Sequence, residues 1–145
     1  MSRSRNRRKG GAAVEAALTL PLILLLITAT LELSTAIYLK ESLTIAAYEG
    51  ARVAVSRKGD NTRVIERVEE VFVQRGISTS GLPVGELVTI TPAADEAATM
   101  EPITISVRAP TLGNVVVPFR FLQFFTGDEV TASFVMRKEY RIESL

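Results

Sequence analysis

The hydrophobic pattern is dominated by one uncharged run, Ala16 to Leu31 (AALTLPLILLLITATL), interrupted only by Thr19, Thr28 and Thr30 and bracketed by Glu15 and Glu32. A bilayer-spanning helix needs about 20 apolar residues. Taken from Gly11 to Leu33, with the two glutamates inside, the segment reaches that length. Beyond it the helical spacing continues: Leu33, Ile37, Leu39, Leu43, Ala46, Ala47 and Ala54 recur at three- and four-residue steps. No proline or turn cluster follows until Gly59-Asp60-Asn61. The pattern predicts one helix from about Ala12 to about Ser56, on the order of 65 Å long at 1.5 Å per residue. Its first half would cross a membrane, and its second half would lie on a folded domain.

Past the turn, Val64, Ile65, Val68, Val71 and Phe72 keep helical spacing to about Arg75 and Gly76, with Asn61 or Thr62 expected as N-cap. The opposite face carries Glu66, Arg67, Glu69 and Glu70 and reads as solvated. Residues 78–83 read as loop. The period then falls to two. Val88 and Ile90 lie within Glu86–Thr91, and Ile103, Ile105 and Val107 alternate with polar residues between Pro102 and Pro110. A third set, Val130, Ala132, Phe134 and Met136, alternates in the same way. These read as antiparallel strands with one apolar face. Residues 114–125 are ambiguous: Val115-Val116-Val117 suits a strand, and the aromatic stretch 119–125 suits core or a patch for a partner subunit. The predicted fold class is α+β: a long N-terminal transmembrane helix continuing into a domain with a second helix and a small antiparallel sheet. The expected divisions are a basic leader at 1–10, a transmembrane helix at 11–33, an extramembrane continuation at 34–58 and a globular domain at 59–145. Residues 40–56 are expected to be enough of the long helix for that domain to fold without the rest.

Charge sharpens the membrane reading. Arg3, Arg5, Arg7, Arg8 and Lys9 stand ahead of the apolar run with no acidic residue among them, whereas the remainder of the chain is net acidic. Basic residues abutting an apolar segment place the N-terminus in the cytoplasm and the C-terminal domain outside. They do not call for nucleic acid as a partner. The 145-residue chain has no cysteine and no histidine, which removes disulfides, thiol nucleophiles and the commonest general base and metal ligand. No phosphate-binding glycine loop, nucleophile elbow or calcium loop is present, so the chain reads as a non-enzyme with no catalytic residue, cofactor or metal.

Two ordinary readings compete for the N-terminal segment. One is a secretory signal peptide with a small-residue cleavage site near Thr28-Ala29-Thr30, delivering a secreted binding module. The other is an ordinary signal anchor that stays uncut. Both must accommodate Glu15, a carboxylate at the start of an apolar helix.

Three stretches resemble the TadE-like family, minor pilins or pseudopilins of the tight adherence (Flp) pilus system. They are Arg8-Lys9-Gly10-Gly11-Ala12-Ala13-Val14-Glu15-Ala16-Ala17-Leu18 with Leu20-Pro21-Leu22, then Glu32-Leu33, then Ala46-Ala47-Tyr48-Glu49-Gly50-Ala51-Arg52-Val53-Ala54. Residues 131–139 also resemble the family's closing strand. The chain departs from the usual pattern at Ala16, where an aromatic residue follows the glutamate, at Leu33-Ser34, and at Tyr48. The resemblance implies cleavage by a prepilin-type peptidase between Gly10 and Gly11, which makes Glu15 the fifth residue of the mature chain. It also implies that Glu15 is an assembly carboxylate meeting the new α-amine of a neighbouring subunit. The implied partners are the cytoplasmic membrane, the peptidase and other pilin or pseudopilin subunits. The implied location is the bacterial cytoplasmic membrane, single-pass, and then the pilus. Glu32 reads as solvated near the outer interface.

Overall fold

The computed structural model describes residues 5–98, 100–116 and 127–138, with side chains from Gly10 onward. Helix α1 (Arg5–Ala54) is a single rod of 50 residues, on the order of 75 Å long. It starts earlier than the pattern predicts. Arginine and lysine are good helix formers, and the Gly10-Gly11 pair weakens the helix without ending it. Pro21 also lies inside α1, which runs on through it.

After a tight turn at 55–60, helix α2 (Asn61–Arg75) returns along α1. Its N-cap is Asp60, whose side chain accepts a hydrogen bond from the Arg63 N–H at 2.8 Å. The expected caps are thus displaced by one residue. The Asn61 side chain has another task, accepting from the Ala94 N–H at 2.9 Å and tying the loop after β1 to the start of α2. Gly76, in the left-handed conformation at φ 63°, closes the helix as predicted. A one-turn helix α3 (Val84–Leu87) leads into β1 (Val88–Thr91). Glu86 and Leu87, expected at the head of the strand, are therefore helical; Pro83 sets a φ suited to entering a helical turn.

Strands β2 (Pro102–Pro110) and β3 (Glu129–Arg137) complete an antiparallel sheet in the order β1-β2-β3. The register pairs Ile105 with Ile90 on one side and with Phe134 on the other. Alternation puts Ile103, Ile105, Val107 and Ala109 inside, with Ala132 and partly buried Val130, Phe134 and Met136 beside them. Helix α1 packs on this inner face, and α2 packs against α1. Of the ambiguous stretch, Val115 packs against the core and Val116 is exposed; Val117 and the aromatic stretch 119–125 lie outside the described residues.

The core is closed by the second half of α1. Leu39, Leu43, Ala46, Ala47, Gly50, Ala51 and Ala54 face the domain and are buried. Leu33 and Ile37, which share the same apolar spacing in sequence, face away and are 50% and 59% exposed. Small residues let the backbones approach: a Cβ at Gly50 would stand 3.1 Å from Val68 Cγ2 and 3.4 Å from Ile105 Cγ2. A larger side chain there would separate α1 from both α2 and β2.

Candidate functional site

From Gly10 to Ile27 α1 touches no other part of the described chain: every residue is exposed, including Leu18 at 70% and Leu26 at 64%. From Gly10 through Leu31, with Thr28 and Ala29 already half-buried, the rod measures about 33 Å at 1.5 Å per residue, enough to cross a hydrocarbon core of about 30 Å. Its threonines are compatible with lipid because their hydroxyls bond back to the helix. Thr28 donates to the Leu24 and Leu25 carbonyls at 3.0 Å, Thr30 to Leu26 at 2.8 Å, and Thr19 to the Glu15 carbonyl. Each of these hydroxyls is thereby satisfied without water.

The three residues expected to matter for processing and assembly sit at the start of this rod. Gly10 and Gly11 are helical, and a Cβ built on either meets nothing within 4 Å. Glu15 lies one turn further and is exposed. They share a helix end and form no pocket. Among the described residues no group of three or more carboxylates is placed to hold a metal ion.

The rod becomes part of the domain at Glu32. Its side chain is 2% exposed, against the solvated position expected from sequence, and it has an interaction partner. One turn later, Thr35 Oγ1 accepts a hydrogen bond from the Val116 N–H at 3.3 Å. Higher on α1, Lys40 Nζ donates to the Thr131 carbonyl of β3, and the ring of Tyr48 meets Phe134 edge-on at 5.2 Å between centroids. On the other flank, Glu49 Oε2 accepts from Arg67 Nη2 at 3.0 Å and from Nε at 3.2 Å, while Arg67 Nη1 reaches Glu70 at 2.7 Å. Hydrogen bonds to Glu70 first and Glu49 second raise the Arg67 pKa above its ordinary value. The charged face of α2 is therefore not wholly solvated, since Arg67 locks it to α1.

A protein-family model described as TadE-like protein matches residues 10–52. The chain carries a TadE-like segment. Neither a curated protein nor a solved structure matches the chain significantly. The TadE-like segment begins at Gly10 and ends two residues before the end of α1, so it covers the bare rod and the seated half together. Its later part, Ala46 to Arg52, supplies the small buried residues and the Glu49 bridge that fasten the rod to the domain. The TadE-like match, with one helix long and apolar enough to cross a membrane, supports a membrane-associated component of a tight adherence (Flp) pilus. Sequence reasoning missed Glu32 as a buried group and Arg67 as a tie to α1. The only signals available were a carboxylate in an apolar context and an arginine amid glutamates.

Proposed function

We propose that the protein is a minor pilin or pseudopilin of a tight adherence (Flp-type) pilus. In this reading α1 holds it in the bacterial cytoplasmic membrane, N-terminus in the cytoplasm and domain outside. A prepilin-type peptidase cuts between Gly10 and Gly11, and the mature subunit joins other pilin subunits through Glu15. The role is structural, with no catalysis of its own. The observation that carries the reading is the division of α1: bare and apolar from Gly11 to Ile27, then built into a folded domain, within a TadE-like segment that starts at the glycine pair. The five basic residues ahead of Gly10 favour a cytoplasmic N-terminus.

The residues suit the chemistry. A protease needs an extended backbone, and each glycine in a helix is about 1 kcal/mol less favourable than alanine, so α1 unwinds most readily at Gly10-Gly11. The open space around both glycines leaves that bond approachable. Cleavage frees an α-amine that is mostly cationic at neutral pH. A lone carboxylate costs roughly 2.5–3.5 kcal/mol at mid-bilayer and less near the interface. Pairing Glu15 with a neighbour's amine offsets both charges.

Mass spectrometry of the membrane fraction tests this. The expected mature N-terminus is Gly11. An N-terminus near Leu31 would instead make the chain a secreted module with an ordinary signal peptide, and an uncut chain would make it an anchored accessory protein. Glu15→Gln should still be cut and inserted but should lose co-purification with other pilin subunits. Unchanged co-purification would reduce Glu15 to an interfacial carboxylate.

A further inference from the structure

We propose that the lower end of the domain, formed by the loops 77–84 and 109–116, rests on the bilayer surface with Leu82, Leu112 and Val116 inserted among the lipid headgroups. The proposal rests on α1 crossing the membrane. Two routes through the structure put these loops at the level where the span ends. Along α1, the Val116 N–H is 3.3 Å from Thr35 Oγ1, four residues and so about 6 Å beyond Leu31. Along the sheet, Lys40 of α1 meets Thr131, and Pro110 pairs with Glu129, two residues and so about 7 Å nearer the span. The next residues, Thr111 and Leu112, project past that end of the sheet.

The two loops form one surface. Asn114 clamps them: its side-chain amide donates to the Ser78 carbonyl at 2.7 Å and the Pro110 carbonyl at 2.8 Å, and its oxygen accepts from the Ser78 N–H at 2.7 Å. Ser80 Oγ donates to the Leu112 carbonyl at 3.3 Å. From this clamped platform Leu112 stands 71% exposed, Val116 58% and Leu82 42%.

Charge separates these two loops from the loops at the opposite end. Residues 77–84 (ISTSGLPV) and 109–116 (APTLGNVV) contain no charged side chain, in a chain that is 23% charged. The loops at the opposite end carry Arg57, Lys58, Asp60, Asp95, Glu96 and Glu101. Two loops without charge, tipped with aliphatic residues and level with the end of an apolar helix, suit the headgroup and upper acyl region of a bilayer, while Arg108, Asp128 and Glu129 at the adjoining end of the sheet suit the charged headgroup layer. An end dense in charge suits water.

The chain has no tryptophan, so a single introduced one reports its own surroundings. The full chain would be reconstituted in phosphatidylethanolamine–phosphatidylglycerol vesicles whose acyl chains carry bromine either near the headgroup or deep. Four variants are compared: Leu112→Trp, Val116→Trp, Leu22→Trp in the span, and Val135→Trp on the outer face of the sheet. The expected result is blue-shifted emission from Leu112→Trp and Val116→Trp, quenched more by shallow than by deep bromine. Leu22→Trp should be quenched by deep bromine and Val135→Trp by neither. If Leu22→Trp is quenched but both loop variants behave like Val135→Trp, the loops do not touch lipid and the proposal fails while the span stands. If Leu22→Trp also escapes quenching, the span itself fails. Loop tryptophans that bromine does not quench, but that are shielded from an aqueous quencher only at high protein-to-lipid ratio, would mean that a second copy covers the surface, which also overturns the proposal.

Discussion

Single side chains decide several features that residue type alone leaves open. Asp60, Asn61 and Thr62 can all cap a helix, and Asp60 does so because Asn61 is engaged by the Ala94 N–H. Ser42 is the reverse case. It is wholly buried on α1, and among the described residues its hydroxyl has no hydrogen-bond partner. A buried unsatisfied polar group costs about 1–3 kcal/mol, and alanine is also the better helix former. Ser42→Ala should therefore raise stability by about 1 kcal/mol, seen as a later midpoint in urea denaturation of the full chain in mild detergent. A fall in stability would mean that the hydroxyl has a bonding partner after all.

At the level of elements, α1 is two helices in one. Its first half has no partner in the described chain, and its second half is held by small residues on one side and by the Glu49–Arg67 bridge on the other. Arg67 carries its charge at any working pH, as arginine does, and hydrogen bonds to Glu70 and Glu49 raise its pKa further. The side chains of Arg67 and Glu49 are 36% and 20% exposed, so solvent screens the pair and its worth stays modest. A double-mutant cycle on Glu49→Gln and Arg67→Gln should give a coupling of about 0.5–1 kcal/mol. Arg67→Lys should lose most of it, since both bonds to Glu49 come from one planar guanidinium. A coupling indistinguishable from zero would reassign the cohesion of α1 and α2 entirely to the Gly50 contact.

For the molecule as a whole, the question is where the membrane part stops. Residues 40–56 are expected to be enough of α1 for the domain, yet Glu32 and Leu39, each 2% exposed, are buried ahead of that stretch. A fragment starting at Glu32 should fold in water. One starting at Lys40 should be weaker by about 2–5 kcal/mol, the usual cost of deleting a buried leucine such as Leu39. It also loses the Thr35–Val116 bond. Comparing the urea midpoints of the two fragments checks this, and equal midpoints would return the boundary to Lys40.

Much of this architecture is written in period and composition. The uncharged run, the helical spacing to Ala54 and the alternation in β2 and β3 determine a rod long and apolar enough to cross a membrane, a second helix and a small sheet, because each follows from local repeat and from the need to bury one face. What the sequence could not determine are the matters in which distant residues compete. Leu33 and Ile37 share the apolar spacing of Leu39 and Leu43, yet only the tertiary structure decides that the first pair faces out. Glu86 and Leu87 read as strand because a two-residue period over so short a stretch does not outweigh a helical turn entered from Pro83. Glu32 reads as solvated because its cover comes from elsewhere in the chain, and Arg67 reads as surface because Glu49 lies eighteen residues away. A side chain's neighbours along the chain set its secondary structure; its neighbours in space set its burial and its partners, and only folding brings those together.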